Sequence, residues 1–241
     1  MARTAMWAMC AAGGLLWAAP CSAGAQTVVV TTNGSTVIVN GHVVSGGNAT
    51  VAKGPIRTEV RAEPAYSGIR VDAPADVTFS PSAKSQVTVT APADVLPLVE
   101  TNVTDGTLVI GLKGPVVLSS PIAIAATGPS LAAITLAGSG RVKAVGLSGP
   151  ALDISLAGSG VVVANGTVGQ VAIRLTGSGD VDVASIRAAS VRGLIAGSGT
   201  IRAFARDSVD ARITGSGAFI VSGDPAQRAS SVTGSGEILF R

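Results

Sequence analysis

In the last hundred or so residues, apolar and polar positions alternate with a period of two. The alternation is interrupted at near-regular intervals by one triplet. The copies are Gly138-Ser139-Gly140, Gly158-Ser159-Gly160, Gly177-Ser178-Gly179, Gly197-Ser198-Gly199, Gly215-Ser216-Gly217 and Gly234-Ser235-Gly236, at offsets of 20, 19, 20, 18 and 19. Two positions before each triplet stand Leu136, Leu156, Leu175, Ile195, Ile213 and Val232. Two positions after it stand Val142, Val162, Val181, Ile201, Phe219 and Ile238, and four after it Ala144, Ala164, Val183, Ala203, Val221 and Phe240. The position directly after the triplet is mixed: Arg141, Val161, Asp180, Thr200, Ala218 and Glu237. One dry face and one wet face define strands, and no sustained helical period competes with them.

The apolar positions on either side of a triplet are six residues apart, an even number. A chain running straight through would point both glycines inward and the serine outward. Glycine leaves no side chain inside and tolerates a positive φ, so each triplet reads as a corner. Repeats of 18–20 residues that share one corner predict an all-β fold, a parallel β-solenoid with coils about 4.8 Å apart.

Residues 65–137 continue less regularly, with strands expected at Val87–Thr90, Leu108–Ile110 and Ile122–Ile124 and a turn at Asp105-Gly106. Residues 26–64 read as a flexible lead-in with a strand at Val28–Val30 and a hairpin around Asn40-Gly41. Residues 1–25 read as a secretory signal peptide: Arg3, an apolar run from Ala5 to Ala19, then Ala23-Gly24-Ala25 before Gln26. The domain plan is thus 1–25, 26–64 and 65–241.

Both cysteines (Cys10 and Cys21) and both tryptophans (Trp7 and Trp17) fall in the expected leader. The mature chain then has no disulfide, thiol nucleophile or cysteine metal site. Without Arg3, 16 basic residues face 14 acidic ones. That near-balance gives no electrostatic case for nucleic acid. No later apolar run is long enough for a membrane-spanning helix.

Candidate chemistry is sparse. The one histidine, His42, lies in the lead-in hairpin, away from the triplet serines that would need it as a base. Asp180 and Asp182 are the best carboxylate pair, open to glycoside chemistry or an isolated calcium ion. Arg202 stands in the column of Asp182 one coil later, and an inter-coil ion pair is the simpler account. Only two of the six residues that follow the triplets are acidic, so a calcium ladder is excluded. The expected metal, cofactor and catalytic sets are therefore empty. Sugar platforms are few: Tyr66 is the one tyrosine, Phe219 and Phe240 fall on inward columns, and Phe204 is expected at a bend. The basic residues after 186 are all arginine: 187, 192, 202, 206, 212, 228 and 241. Their two readings are an anionic-glycan face and a solvated surface.

The ordered series Asp94-Val95-Leu96-Pro97-Leu98-Val99-Glu100-Thr101, Asp105-Gly106-Thr107-Leu108-Val109-Ile110 and Leu136-Ala137-Gly138-Ser139-Gly140 resembles the head GIN domain, the putative autotransporter adhesin family. The resemblance covers roughly residues 65–241. It implies a right-handed parallel β-helix, export to the bacterial envelope, and binding to a glycan or protein of a surface or matrix. It brings no catalytic residue. Two other functions are weighed beside it: a periplasmic scaffold that self-assembles into homo-oligomers, and a polysaccharide-active enzyme on a β-helix.

Overall fold

The computed structural model describes residues 28–31, 36–39, 42–45, 50–52, 54–118 and 121–241. The expected leader, 1–25, lies outside them. The chain divides into two compact units, Met1–Asn48 and Ala49–Arg241. In the first, Val28–Thr31, Thr36–Val39 and His42–Ser45 form an antiparallel three-stranded sheet in which Val39 pairs with His42.

The second unit is a β-solenoid. Ala133–Gly138, Arg141–Gly158, Val161–Gly177, Asp180–Gly197 and Thr200–Gly215 stack in parallel, and Ala218–Ser222, Gln227–Gly234 and Glu237–Phe240 continue the stack. The apolar columns meet in register: Leu136, Leu156, Leu175, Ile195, Ile213 on one wall and Val142, Val162, Val181, Ile201, Phe219 on another. All ten are buried. Among the described residues every buried side chain belongs to a hydrophobic residue, and the Tyr66 hydroxyl is the one polar side-chain group in that set.

At each triplet the strand ends on the first glycine, bends at the serine and restarts after the last glycine. The six serines are exposed. The expectation of two inward glycines needs correction. Only the third glycine is buried, except in the last copy, where Gly236 is half-buried; the first glycine is half-buried or exposed. The first takes a left-handed backbone, as at Gly197 with φ +134°. The third makes room for the preceding coil: a Cβ on Gly160 would stand 2.7 Å from Leu136 Cδ2, and one on Gly179 2.7 Å from Leu156 Cδ2. The chain turns at the first glycine, so parity counted straight through the triplet does not apply.

The lower coils are not stacked in chain order. Gly68–Val71 lies between Thr107–Leu112 and Ala133–Gly138, parallel to both. Ala75–Pro81 lies likewise between Ile122–Gly128 and the start of Arg141–Gly158. Phe79 is fully buried there, flanked in its column by Ala126 and Ala144, small residues that leave room for the ring.

Below these coils pairing turns antiparallel. Val99–Thr104 returns on Thr107–Leu112 through Asp105 (φ 51°) and Gly106 (φ 71°). Gln86–Pro92 runs against Ile122–Gly128, and Ile56–Ala62 against Gln86–Pro92. The strand Ile56–Ala62, within the expected lead-in, joins this sheet. Both its faces are mostly exposed, so no buried alternation marked it. Arg61 ties it down, donating from Nη1 to Val99 O at 2.7 Å and from Nη2 to Leu96 O at 3.3 Å. Leu96–Leu98 is a 3-10 turn, and among the described residues no helix is long and apolar enough to cross a membrane.

At the other end, the inward column Leu152, Val171, Val191, Val209 finishes in Arg228. Its guanidinium lies over the Phe240 ring, 4.8 Å from the centroid, and pairs with Asp224. A cation stands where the four coils before it carry an aliphatic residue.

Tyr66 gives the unit a pH response. Its hydroxyl donates to Thr127 O at 2.7 Å. Burial, with a smaller contribution from Glu63, pushes its pKa from 10 up to about 12. The folded state therefore holds this proton more tightly than the unfolded chain does. The stabilisation is complete below pH 10 and is lost as pH rises through about 12. Thermal unfolding across that window should show the midpoint falling further in wild type than in Tyr66→Phe.

Candidate functional site

The outward residues of the strands that lead into the triplets form columns of varied chemistry. One column reads Asp153, Ala172, Arg192, Asp210, Ala229; its neighbour reads Ser155, Arg174, Leu194, Arg212, Ser231. A third, Ala151, Gln170, Ser190, Ser208, Gln227, borders the first. Alanines and serines make the floor low and the long side chains make rims, which leaves a groove of about 630 Å³ across five coils. A second hollow of about 350 Å³ adjoins it around Leu194.

Asp210 is shared by two arginines. Arg212 Nε lies 3.1 Å from Oδ1, and Arg192 Nε 3.6 Å from Oδ2. Arg212 Nη2 also donates to Oδ2 at 3.3 Å. The side chains of Arg192 and Arg212 remain 79% and 66% exposed. Pairs this wet are worth about 0–1 kcal/mol each, so an incoming anion competes for the guanidiniums at small cost. Arg174 has no hydrogen-bond or ion-pair partner among the described residues. Leu194, in its column between Arg174 and Arg212, is 41% exposed.

The residues singled out in the sequence are placed otherwise. Asp182 and Arg202 are register neighbours, yet they do not form the expected ion pair. Asp182 Oδ1 instead accepts from the Ala184 N–H at 3.1 Å. The strand breaks register between Val183 and Ala188, and the carboxylate serves that local turn. Asp180 and Asp182 belong to no group of three or more metal-ligating side chains among the described residues. Tyr66 and Phe219 are buried, and Phe204 is half-buried beside Gly223.

The arginines after 186 do not form one face. Arg206 pairs with Asp207, Arg228 closes the core, Arg202 follows a triplet, and Arg187 stacks on Thr167. Of that run Arg192 and Arg212 share the carboxylate of Asp210, Arg174 joins them, and Arg228 lines one end of the groove. Arg174 precedes that run in the chain. Its column was recoverable by counting back from Gly177, where Ser155, Arg174, Leu194 and Arg212 each stand three residues before their triplet.

Residues 65–225 match the family model described as "Putative auto-transporter adhesin, head GIN domain". The chain belongs to this family. No curated protein matches it. Among solved structures, this head GIN domain is similar to a putative adhesin of Bacteroides fragilis, at 23% identity and TM-score 0.62, covering 80% of this chain and 100% of that one. It is also similar to a putative lipid binding protein of Parabacteroides distasonis, at 24% identity and TM-score 0.53 with the same coverage. A putative adhesin of Parabacteroides merdae matches at 17% identity and TM-score 0.52, covering 81% and 100%. At these identities the likeness establishes the solenoid and leaves ligand chemistry to the residues of each head GIN domain.

Proposed function

We propose that the protein is an exported, non-enzymatic binding module of the bacterial cell envelope, acting as an adhesin on a surface or matrix ligand. The observation that carries this reading is the groove across five coils. It is long, open and lined by unlike residues from successive coils, as an extended ligand requires. An interior filled by hydrophobic residues and a wet, open binding surface suit recognition of an extended ligand. Family membership and the leader-like segment before Gln26 support export. Fractionation of the producing cell, followed by protease treatment of intact cells, tests it. The expected result is a mature chain in the envelope that added protease degrades. A chain protected behind the outer membrane would overturn the surface role.

A second reading is self-assembly, favoured by the last coil. Gln227–Gly234 pairs on one side only and is exposed throughout, with Val232 at 42%. An open solenoid edge is a template for another chain. Light scattering that grows with concentration supports this reading, and a monomer at high concentration removes it.

A further inference from the structure

We propose that the groove and the hollow beside it bind a linear acidic polysaccharide whose carboxylate or sulfate groups are held in turn by Arg174, Arg192 and Arg212. The inference rests on the binding-module reading and names its ligand class.

The register sets the spacing. The three arginines stand on consecutive coils and alternate between two adjacent columns. Coils about 4.8 Å apart and a two-residue step of about 6.6 Å separate successive Cα atoms by roughly 8 Å. A polymer laid along the solenoid axis meets one guanidinium per coil. Ala172, Ser190, Ser208 and Ala229 leave the floor low enough for its backbone. Guanidiniums match the planar, two-oxygen acceptors that carboxylate and sulfate present.

The charge agrees. Three guanidiniums against the single carboxylate of Asp210 leave this patch at +2. Asp153 stands two coils before Arg192 in the same column and repels acid groups there, which marks one end of the site. Leu194 supplies an apolar contact in the middle of the patch. A sugar ring's C–H face uses such a contact and a simple inorganic anion does not. One exposed leucine offers little area for a bilayer, and the patch has no aromatic platform for nucleic acid bases.

The test uses the full chain with four probes: polygalacturonate, neutral dextran, phosphatidylglycerol vesicles and single-stranded DNA. Polygalacturonate should bind at low ionic strength and weaken as salt rises, while dextran does not bind. The double variant Arg174→Gln/Arg192→Gln should bind roughly tenfold more weakly or worse, with unchanged thermal unfolding. Arg202→Gln, beyond the triplet, should bind as wild type. Equal binding by the double variant and wild type would overturn the assignment, as would vesicles or DNA binding where polygalacturonate does not. A chain that is surface-exposed yet ignores polygalacturonate overturns this ligand class and leaves the module reading standing. A chain held behind the outer membrane overturns the surface role, and this ligand class is then decided by polygalacturonate binding alone.

Discussion

Gly197→Ala is expected to lower stability by about 3 kcal/mol or more, one of the largest losses available to a single methyl group in this chain. Two causes act together. At φ +134° an L-residue is strained whatever space surrounds it. The added Cβ would also stand 2.2 Å from Gly177 O and 3.0 Å from Gly177 C, which are backbone atoms of the coil before. Gly177 O accepts the Ser198 N–H at 2.9 Å, so moving it away breaks a bond of the stack. The neighbouring serine supplies the control. Ser198 is exposed, and Ser198→Ala should stay within about 0.5 kcal/mol of wild type. In a unit of this size, 3 kcal/mol corresponds to roughly 6–12 °C in the unfolding midpoint. Circular dichroism of the two variants measures it. Similar midpoints for both would mean that the first glycine of the triplet is dispensable and that the coil can bend through another residue.

The solenoid was legible because one cause repeats. Each coil needs the same backbone turn and the same inward side chains, so the period, the columns and the exposed serines all stand in the sequence. What was not legible depends on register between segments that no period connects. Gly68–Val71 sits between two later strands, and nothing in Gly68-Ile69-Arg70-Val71 says which strands those are. Ile56–Ala62 joins the sheet with hardly any buried face, so burial left no alternation to read. The binding groove was half legible. Arg192 and Arg212 were in view as members of an arginine run, but proximity along the chain misled: coils of unequal length spread Arg187, Arg202 and Arg206 elsewhere and brought in Arg174. Asp182 shows the same limit at short range. Its column was right, but a turn beginning two residues later claimed its carboxylate.

Phe219→Ala should cost about 3–5 kcal/mol, and its partner in the effect is a glycine outside every triplet. Gly193 occupies an inward column that holds Ile154 and Ile173 in the coils before it and Ala211 in the coil after. Glycine there would leave a void, but the Phe219 ring fills it from Ala218–Ser222. A Cβ on Gly193 would stand 2.0 Å from Phe219 Cε2 and 2.5 Å from Cζ. The two residues are therefore one packing unit, large on one strand and absent on the other. Gly193→Ala alone overpacks a fully buried ring and should cost about 1–3 kcal/mol. In Gly193→Ala/Phe219→Leu the smaller side chain gives up the space that the new methyl needs. The double variant should then lose less than the two single changes summed, by about 0.5–3 kcal/mol. Denaturant unfolding of wild type, Gly193→Ala, Phe219→Leu and the double variant closes the cycle. Strict additivity would mean that the ring swings clear at no cost, and that the glycine at 193 reflects the chain's path and not the space Phe219 requires.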